Sequence, residues 1–395
     1  MEKFDAQGIF LLFEGLPRTV IESQVLSVAK KLGQAGLQVE VWAFAINNQS
    51  YKEGLAVLPK YSNDFGLKIR LFKGVRSIVP FSRIINAALL FMIMRISNAS
   101  PAFVRGRTEY ATAVASLVKP FFGFKLVWDA RGDTVNEYKG TMTALPTYIK
   151  WLAGLKLRAI KERLKVVAKQ CDRAIFVSEA LMSLQGQEVR EKDKVVIPCA
   201  ADEKLFFCDA ELRMNMRRKL GYKKCDVVMV YAGSIAPWQC IEETIGLMSK
   251  TIKMDINYKA LVITPDIQSV LRLISPSLKK SFYVVSCSLV EMNGYLNAAD
   301  IGFLLREENA INRVASPVKY SEYSMAGLLV VSSKAVLQVQ DFGKKIDNVL
   351  EPTVDCILNQ QKKSALKSRL TRAKKAHKLY GMRMLNENLK QIHGF

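Results

Sequence analysis

Histidine is almost missing from this chain: His377 and His393 are its only two copies in 395 residues, both near the C-terminal end. A Ser-His-Asp triad or a histidine-built metal site therefore has no material in the main body. No Asp-x-Asp pair occurs, so the simplest carboxylate clamp for a metal-bound diphosphate is missing too, and no metal is expected. The seven cysteines all lie from Cys171 onward with no Cys-x-x-Cys spacing. That scatter points to reduced thiols in a cytosolic compartment. Long apolar runs are lacking as well. Residues 8–13 are too few for a signal-peptide core and read as a buried strand. Residues 84–94, bounded by Arg83 and Arg95, fall well short of the ~20 that a spanning helix needs. Repeats and low-complexity segments are not seen.

What is present is a soluble, globular balance, half hydrophobic and 24% charged, with a net charge of +22. That excess implies attraction to something acidic: nucleic acid, an anionic membrane surface or a phosphorylated substrate. No aromatic–basic RNA motif and no helix-turn-helix pattern accompanies it, so a nucleic-acid partner is not expected. The length suffices for two domains with separate cores.

Strand and helix patterns alternate along the chain. Residues 9–13 and 39–44 read as strands around a helix over 22–35 that ends at Gly36. Residues 103–104, 125–128, 174–177 and 195–198 read as later strands, with helices over 110–118 and from 179. A second half repeats the logic, with strands at 227–231, 260–263, 282–285, 301–305 and 328–332. The expectation is an α/β protein of two doubly wound, Rossmann-like parallel-sheet domains facing each other across a cleft, with a hinge near 199–206. The boundaries fall at 1–200 and 201–360, followed by a basic segment, 361–395, with ten Lys or Arg and only Glu387 as an acid. That segment reads as a helix packing across the hinge or lying on an anionic surface, or simply as a solvated face.

The most informative stretch runs from Asn312 to Gly327. Ser316 suits an N-cap and Pro317 the first helical residue. Gly327 suits the left-handed position that ends a helix. The free N–H groups and positive dipole end would then form a phosphate site. Lys319 and Glu322 share one face. Ser316 and Glu322 lie six residues apart, roughly 9 Å along a helix axis, about the reach from a diphosphate to its ribose hydroxyls. An ordinary capped helix with a surface Lys–Glu pair accounts for the same pattern.

Several segments, in order, match a known family. They are residues 16–25, Arg105-Gly106-Arg107, Trp128-Asp129-Ala130-Arg131-Gly132, residues 171–179, Ile197-Pro198, Tyr231-Ala232-Gly233-Ser234 and residues 295–305 leading into the Glu322 helix. The chain resembles the retaining nucleotide-sugar glycosyltransferases of family 4, which have the GT-B fold. Within them it is most similar to the bacterial group that assembles capsule, O-antigen and other exopolysaccharides. The resemblance implies that Glu322 binds the donor ribose and that the turn at Gly233 and Ser234 meets the donor diphosphate. It implies a nucleotide-sugar donor, a polyprenyl-diphosphate-linked saccharide acceptor and no other cofactor.

Departures from the family pattern carry their own expectations. Val314 stands where many members have a Glu, and Ser234 and Gln239 stand where many have Arg and Lys to neutralise the diphosphate. Lys319 is the first candidate to replace that charge, with Arg306 and Arg313 behind it. Asp129 and Arg131 occupy the region of a common family His; Asp129 could orient acceptor or sugar and Arg131 could bind phosphate, or the two could be a buried pair that fixes a turn. Cys199, in place of the usual Asn of the hinge, reads as structural. The apolar, basic residues 69–95 and 148–158 suit a bilayer headgroup region, hence a cytoplasmic protein peripheral to the anionic inner leaflet; core-facing helices with basic outer faces account for the same pattern. A nucleotide-sugar epimerase or hydrolase of the same fold, and a catalytically degenerate partner subunit, are the other readings.

Overall fold

The computed structural model describes residues 3–16, 19–79, 81–143, 150–360 and 366–380. The chain divides into two compact units, with the break between Pro198 and Cys199. The first is built on seven strands: β1 (Gly8–Leu12), β2 (Val39–Ala45), β3 (Ile69–Lys73), β4 (Phe103–Arg107), β5 (Lys125–Ala130), β6 (Arg173–Phe176) and β7 (Lys194–Val196). They form one sheet in the order β3-β2-β1-β4-β5-β6-β7, every pairing parallel. Both faces of a parallel sheet are covered by helices, which is why β1 and β2 are nearly continuous apolar runs with every residue buried. Side-chain alternation sends Phe10 and Leu12 towards Val25 and Ala29, and Ile9 and Leu11 towards Leu90 and Val114.

The second unit holds β8 (Val227–Ala232), β9 (Tyr258–Ile263), β10 (Phe282–Val285), β11 (Ile301–Leu304), β12 (Leu329–Ser332) and β13 (Val349–Leu350). Their order is β10-β9-β8-β11-β12-β13, again parallel. Strand order reverses between β1 and β4 in one sheet and between β8 and β11 in the other. Such reversal points open a crevice at the carboxyl ends of the strands, where ligands of open α/β sheets bind.

The expected strands are present with their ends moved by a few residues, and β3 and β13 are additional. The helix expected over 22–35 is interrupted. Its opening turn, Thr19–Ile21, passes into a π-helical turn, Glu22–Leu26, before Ser27–Gln34 resumes α geometry. The Ser27 N–H reaches back five residues to Glu22 O, and the Ser27 hydroxyl donates to the same oxygen (2.9 Å).

The basic C-terminal segment is helical over its described part, Leu366–Tyr380. The Leu366–Tyr380 helix docks on the second unit, against the Val318–Met325 helix, and its cations are not all on a solvated face. Arg369 is 1% exposed; its Nη1 donates to Ala299 O (2.6 Å) and its Nη2 to Ala326 O (3.1 Å). Arg372 donates to Gly327 O from both Nε (3.1 Å) and Nη2 (2.9 Å). These carbonyls close the C-terminal ends of the Leu289–Ala298 and Val318–Met325 helices, where orphan acceptors and the negative dipole end favour a cation. Asp300 ties the arrangement to the sheet: it pairs with Arg213 (2.6 Å) and Arg217 (3.2 Å), lies 3.7 Å from Arg369, and accepts from Val228 N (2.9 Å).

Candidate functional site

In the second unit, β8 ends at Ala232 and the chain turns at Gly233, whose φ of +149° disfavours any side chain. A Cβ at this position would collide with the Nζ and Cε of Lys319. The Gly233 N–H is already bonded to Ile263 O (2.8 Å). The glycine therefore makes room for a cation. The Tyr231 hydroxyl donates to Ser234 O (2.7 Å) and Ile235 N–H to Asp266 Oδ2 (3.3 Å), which shape the loop that follows.

Two cations converge on this loop from separate elements. Lys319, in the first turn of the Val318–Met325 helix, donates from Nζ to Gln239 Oε1 at 2.7 Å and lies 4.9 Å from the centre of the Tyr231 ring. Arg306, just beyond β11, donates from Nη1 to Trp238 O at 2.8 Å. Its backbone is pinned by Ser333, whose hydroxyl accepts from Arg306 N (3.0 Å) and donates to Arg306 O (2.7 Å). Arg313 sits exposed on the short Ala310–Arg313 turn and is not brought to the loop.

Lys319 and Glu322 are only half-buried as whole residues, yet their charged ends are crowded by protein. Burial draws the Lys319 pKa down to about 7; Arg306 pushes the same way and Glu322 opposes. Burial raises the Glu322 carboxyl to about 7, with Lys319 partly offsetting it. Burial also lowers the Arg306 pKa. A cluster whose own charges are this poorly solvated is poised to take an anion, and the N-terminus of the Lys319 helix adds its dipole.

Ser316 does not cap that helix. Pro317 occupies the cap position with no side-chain bond, and Ser316 Oγ accepts instead from Cys199 N (2.9 Å). Ser321 Oγ accepts from Ala201 N (2.8 Å), so two serines fasten residues 199–201 to the helix. Cys199, 5% exposed, is part of that fastening. At the other end Gly327 takes φ +78°. Its N–H bonds Ser324 O (3.0 Å), and Leu328 N–H bonds Tyr323 O (3.0 Å), a paired closure of the last carbonyls. The region of residues 286–289 holds a capping box that the sequence spacing Ser288…Glu291 could have signalled: Ser288 Oγ accepts from Glu291 N, and Glu291 accepts from Ser288 N (3.0 Å). Tyr231 and Gln239 were missed as site residues, the first because it reads as one more apolar strand position, the second because it reads as a lost cation.

The first unit has a separate site at its own strand-order reversal. A cavity of about 400 Å³ is lined by Glu14, Gln24, Arg107, Trp128, Arg131 and Glu137, among others. Asp129 itself is 0% exposed and lies beneath it. One oxygen, Oδ2, pairs with both Arg105 (3.1 Å) and Arg131 (2.8 Å). Burial alone would raise the Asp129 pKa, but the two guanidinium groups overcome it and hold the carboxylate low. Asp129 is thus a buried counter-ion that aims Arg131, and Arg131 alone of the pair lines the cavity. Arg107 is held in the same wall by Glu14 (3.1 Å) and Gln24 (3.1 Å), the latter on the π-helical turn. Among the described residues no group of three His, Cys, Asp or Glu side chains is placed to hold a metal ion.

No protein-family model matches the chain, and no curated protein matches it in sequence. Solved structures do. HepE of Anabaena, in complex with UDP, superposes with a TM-score of 0.70 at 12% identity over 98% of both chains. A glycosyltransferase from Rickettsia africae gives 0.69 at 14% identity, covering 99% of this chain and 98% of that one. The fold is GT-B. A Listeria monocytogenes protein assigned as a UDP-N-acetylglucosamine 2-epimerase is also similar, at TM-score 0.57 and 9% identity over 98% and 95% of the two chains. A shared fold does not assign a reaction, so the reaction has to be argued from residues.

Proposed function

We propose that this chain is a glycosyltransferase that moves a sugar, with retention of anomeric configuration, from a nucleotide diphosphate donor to a saccharide carried on a polyprenyl diphosphate at the inner leaflet, in the assembly of a bacterial surface polysaccharide. The observation that carries the reading is the convergence of Lys319 and Arg306 on the turn after β8, with Glu322 one helical turn beyond Lys319. This supplies, from other positions, the cations that Ser234 and Gln239 do not, which argues against a degenerate partner. The complexes of Anabaena HepE with UDP and with UDP-glucose give the reading its donor class.

In this reading Lys319 and Arg306 hold the diphosphate, and Glu322 accepts from the ribose hydroxyls. As the bond from sugar to diphosphate breaks, negative charge grows on the leaving oxygen, and fixed cations in a poorly solvated setting stabilise that charge more than they would in water. Arg131 and the cavity around it serve the acceptor. The incoming hydroxyl attacks on the face from which the diphosphate departs, and the departing phosphate oxygen takes its proton.

The test is product analysis with a radiolabelled nucleotide-sugar and a membrane extract containing lipid-linked saccharides. A labelled lipid-linked glycoside supports transfer. Free sugar or an isomerised donor, with no glycoside, moves the assignment to the hydrolase or epimerase reading.

A further inference from the structure

The guanidinium groups around the cavity of the first unit are already paired. Arg107 meets Glu14 (3.1 Å) and Arg131 meets Asp129 (2.8 Å). Arg163, on the Lys150–Gln170 helix, meets Glu109 (3.3 Å), which also accepts from the Thr134 hydroxyl (3.0 Å). One carboxyl in the same wall has no such answer.

Glu137 stands in the first turn of the Thr134–Thr143 helix and lines the cavity. Among the described residues its carboxyl enters no ion pair and no hydrogen bond. Burial pushes its pKa up, Glu109, Asp133 and Glu14 push the same way, and no cation among the described residues offsets them. Lys156, on the helix packed against its own, lies over the Tyr138 ring instead (4.4 Å). The carboxyl is seated by a glycine: a Cβ on Gly132 would collide with Glu137 Oε1. A second group in this wall is also unsatisfied. Trp128 is 1% exposed and lines the cavity, and its indole N–H finds no acceptor among the described residues. An indole nitrogen can only donate, so what it lacks is an oxygen. Thr108, in the same wall, is held at φ +65°, a left-handed conformation that a β-branched residue adopts only under constraint. Strain of this kind concentrates at ligand sites.

We propose that this cavity takes a sugar unit bearing a free amine, and that Glu137 selects it by pairing with the ammonium. The inference rests on the reading of the cavity as the acceptor site and names the class of saccharide unit received there. An anionic sugar, a uronate or a phosphate ester, would bring its charge to guanidinium groups that already have carboxylates, beside the acids Glu14, Glu109, Asp133 and Glu137. A neutral sugar would leave the Glu137 charge unanswered. A metal ion is a poor fit, because among the described residues no three His, Cys, Asp or Glu side chains are placed to hold one. An ammonium supplies the missing charge on a compact group with three donors. Placed at Glu137, it favours the ionised carboxylate over the protonated one. The oxygens of the same sugar offer Trp128 the acceptor it lacks. The volume of about 400 Å³ lies in the range of small-molecule sites.

The experiment is a ligand-observed NMR titration of the full chain, at neutral pH, with the methyl glycosides of glucosamine and galactosamine. Their N-acetylated counterparts and methyl glucoside are the comparison. The expected result is an affinity for the amines on the order of tenfold or more above that for the N-acetyl forms. Glu137→Gln should abolish this preference, and Gly132→Ala, which crowds the carboxyl without removing it, should reduce it. Thermal unfolding checks that each variant is folded, and the preference of the wild-type chain is decisive without any variant. The proposal is overturned if the wild-type chain binds amine and N-acetyl forms alike, if it binds neither, or if folded Glu137→Gln keeps the preference. A second arm separates this inference from the transferase reading. Lipid-linked saccharides, before and after N-acetylation with acetic anhydride, are given with a labelled nucleotide-sugar. Transfer lost on acetylation supports the amine. Equal transfer overturns the amine and leaves the transferase reading standing. No transfer to either counts against the transferase reading, and the titration then decides the amine by itself.

Discussion

Lys319 donates to Gln239 across eighty positions of sequence, and the bond of 2.7 Å puts a helix-borne ammonium beside a loop position that carries no charge of its own. The two residues are therefore exchangeable in principle: the charge could come from either. Replacing Lys319 by Gln removes a charge-assisted contact worth roughly 1.5–3 kcal/mol, so nucleoside diphosphate affinity should drop by about 10- to 150-fold. Adding Gln239→Lys to that variant should restore a substantial part. Titration calorimetry with the best-binding diphosphate decides it. Recovery in the double variant identifies the charge itself as the requirement. If Lys319→Gln alone binds normally, Lys319 is not the diphosphate cation.

Glu322→Ala tests the ribose contact. A diphosphate present at a hundred times its dissociation constant should stabilise the wild-type chain by about 2.7 kcal/mol. A panel of UDP, GDP, ADP, CDP and dTDP read by thermal unfolding names the base, and the Glu322 variant should lose most of the shift. An unchanged shift removes Glu322 from the site.

Gly233→Ala is expected to hurt binding without any loss of charge. The methyl would occupy the space of the Lys319 side-chain end, on a backbone with φ +149°. The variant should unfold at a lower temperature and show a weakened diphosphate response, which differential scanning fluorimetry records together. A response equal to that of the wild type would mean that Lys319 does not need its present place.

The pH dependence of diphosphate binding should be bell-shaped with its maximum close to pH 7. Below about 7 the Glu322 carboxyl gains a proton and stops accepting fully from a ribose; above about 7 the Lys319 ammonium loses one and stops neutralising phosphate. Lys319→Arg should flatten the alkaline limb, because a guanidinium stays charged. Glu322→Gln should flatten the acid limb. Affinities measured from pH 5.5 to 9 in the three proteins check the assignment, and limbs that ignore both substitutions refute it.

Asp129→Asn should act on folding. It leaves the Arg105 and Arg131 guanidinium groups buried without their counter-charge, a change that costs about 3–5 kcal/mol when one partner of a buried pair is removed. Chemical denaturation should report the loss. A stable variant with abolished transfer would instead return Asp129 to a direct part in the reaction.

Much of this was legible beforehand, and the reasons differ by element. Parallel strands buried on both faces advertise themselves as short apolar runs, so β1, β2, β8 and β11 could be read directly. β3 could not, because Ile-Arg-Leu-Phe-Lys carries Arg70, buried by its pairing with Glu40 of β2, and such a pairing has no local signature. In the candidate site, Lys319 and Glu322 were visible through helical spacing. The engagement of Ser316 was not, since its hydroxyl is claimed by a backbone N–H 117 residues away. A cap is a local competition, and a distant partner can win it. Arg369 and Arg372 are a related case: composition shows charge, and only packing shows that the charge ends on buried carbonyls.

Those two arginines put the integrity of the candidate donor half under the control of a segment that follows its last strand. All six strands of the second sheet are in place by Leu350, yet the helix that carries Lys319 and Glu322 has its final carbonyls closed from the 366–380 helix. During synthesis, the sheet is complete before the helix bearing the site is clamped. A chain clipped near 360 would possess every residue proposed for nucleotide binding and still lack the brace on the helix that carries Lys319 and Glu322, so the proposed binding competence of this half would depend on residues beyond its last strand.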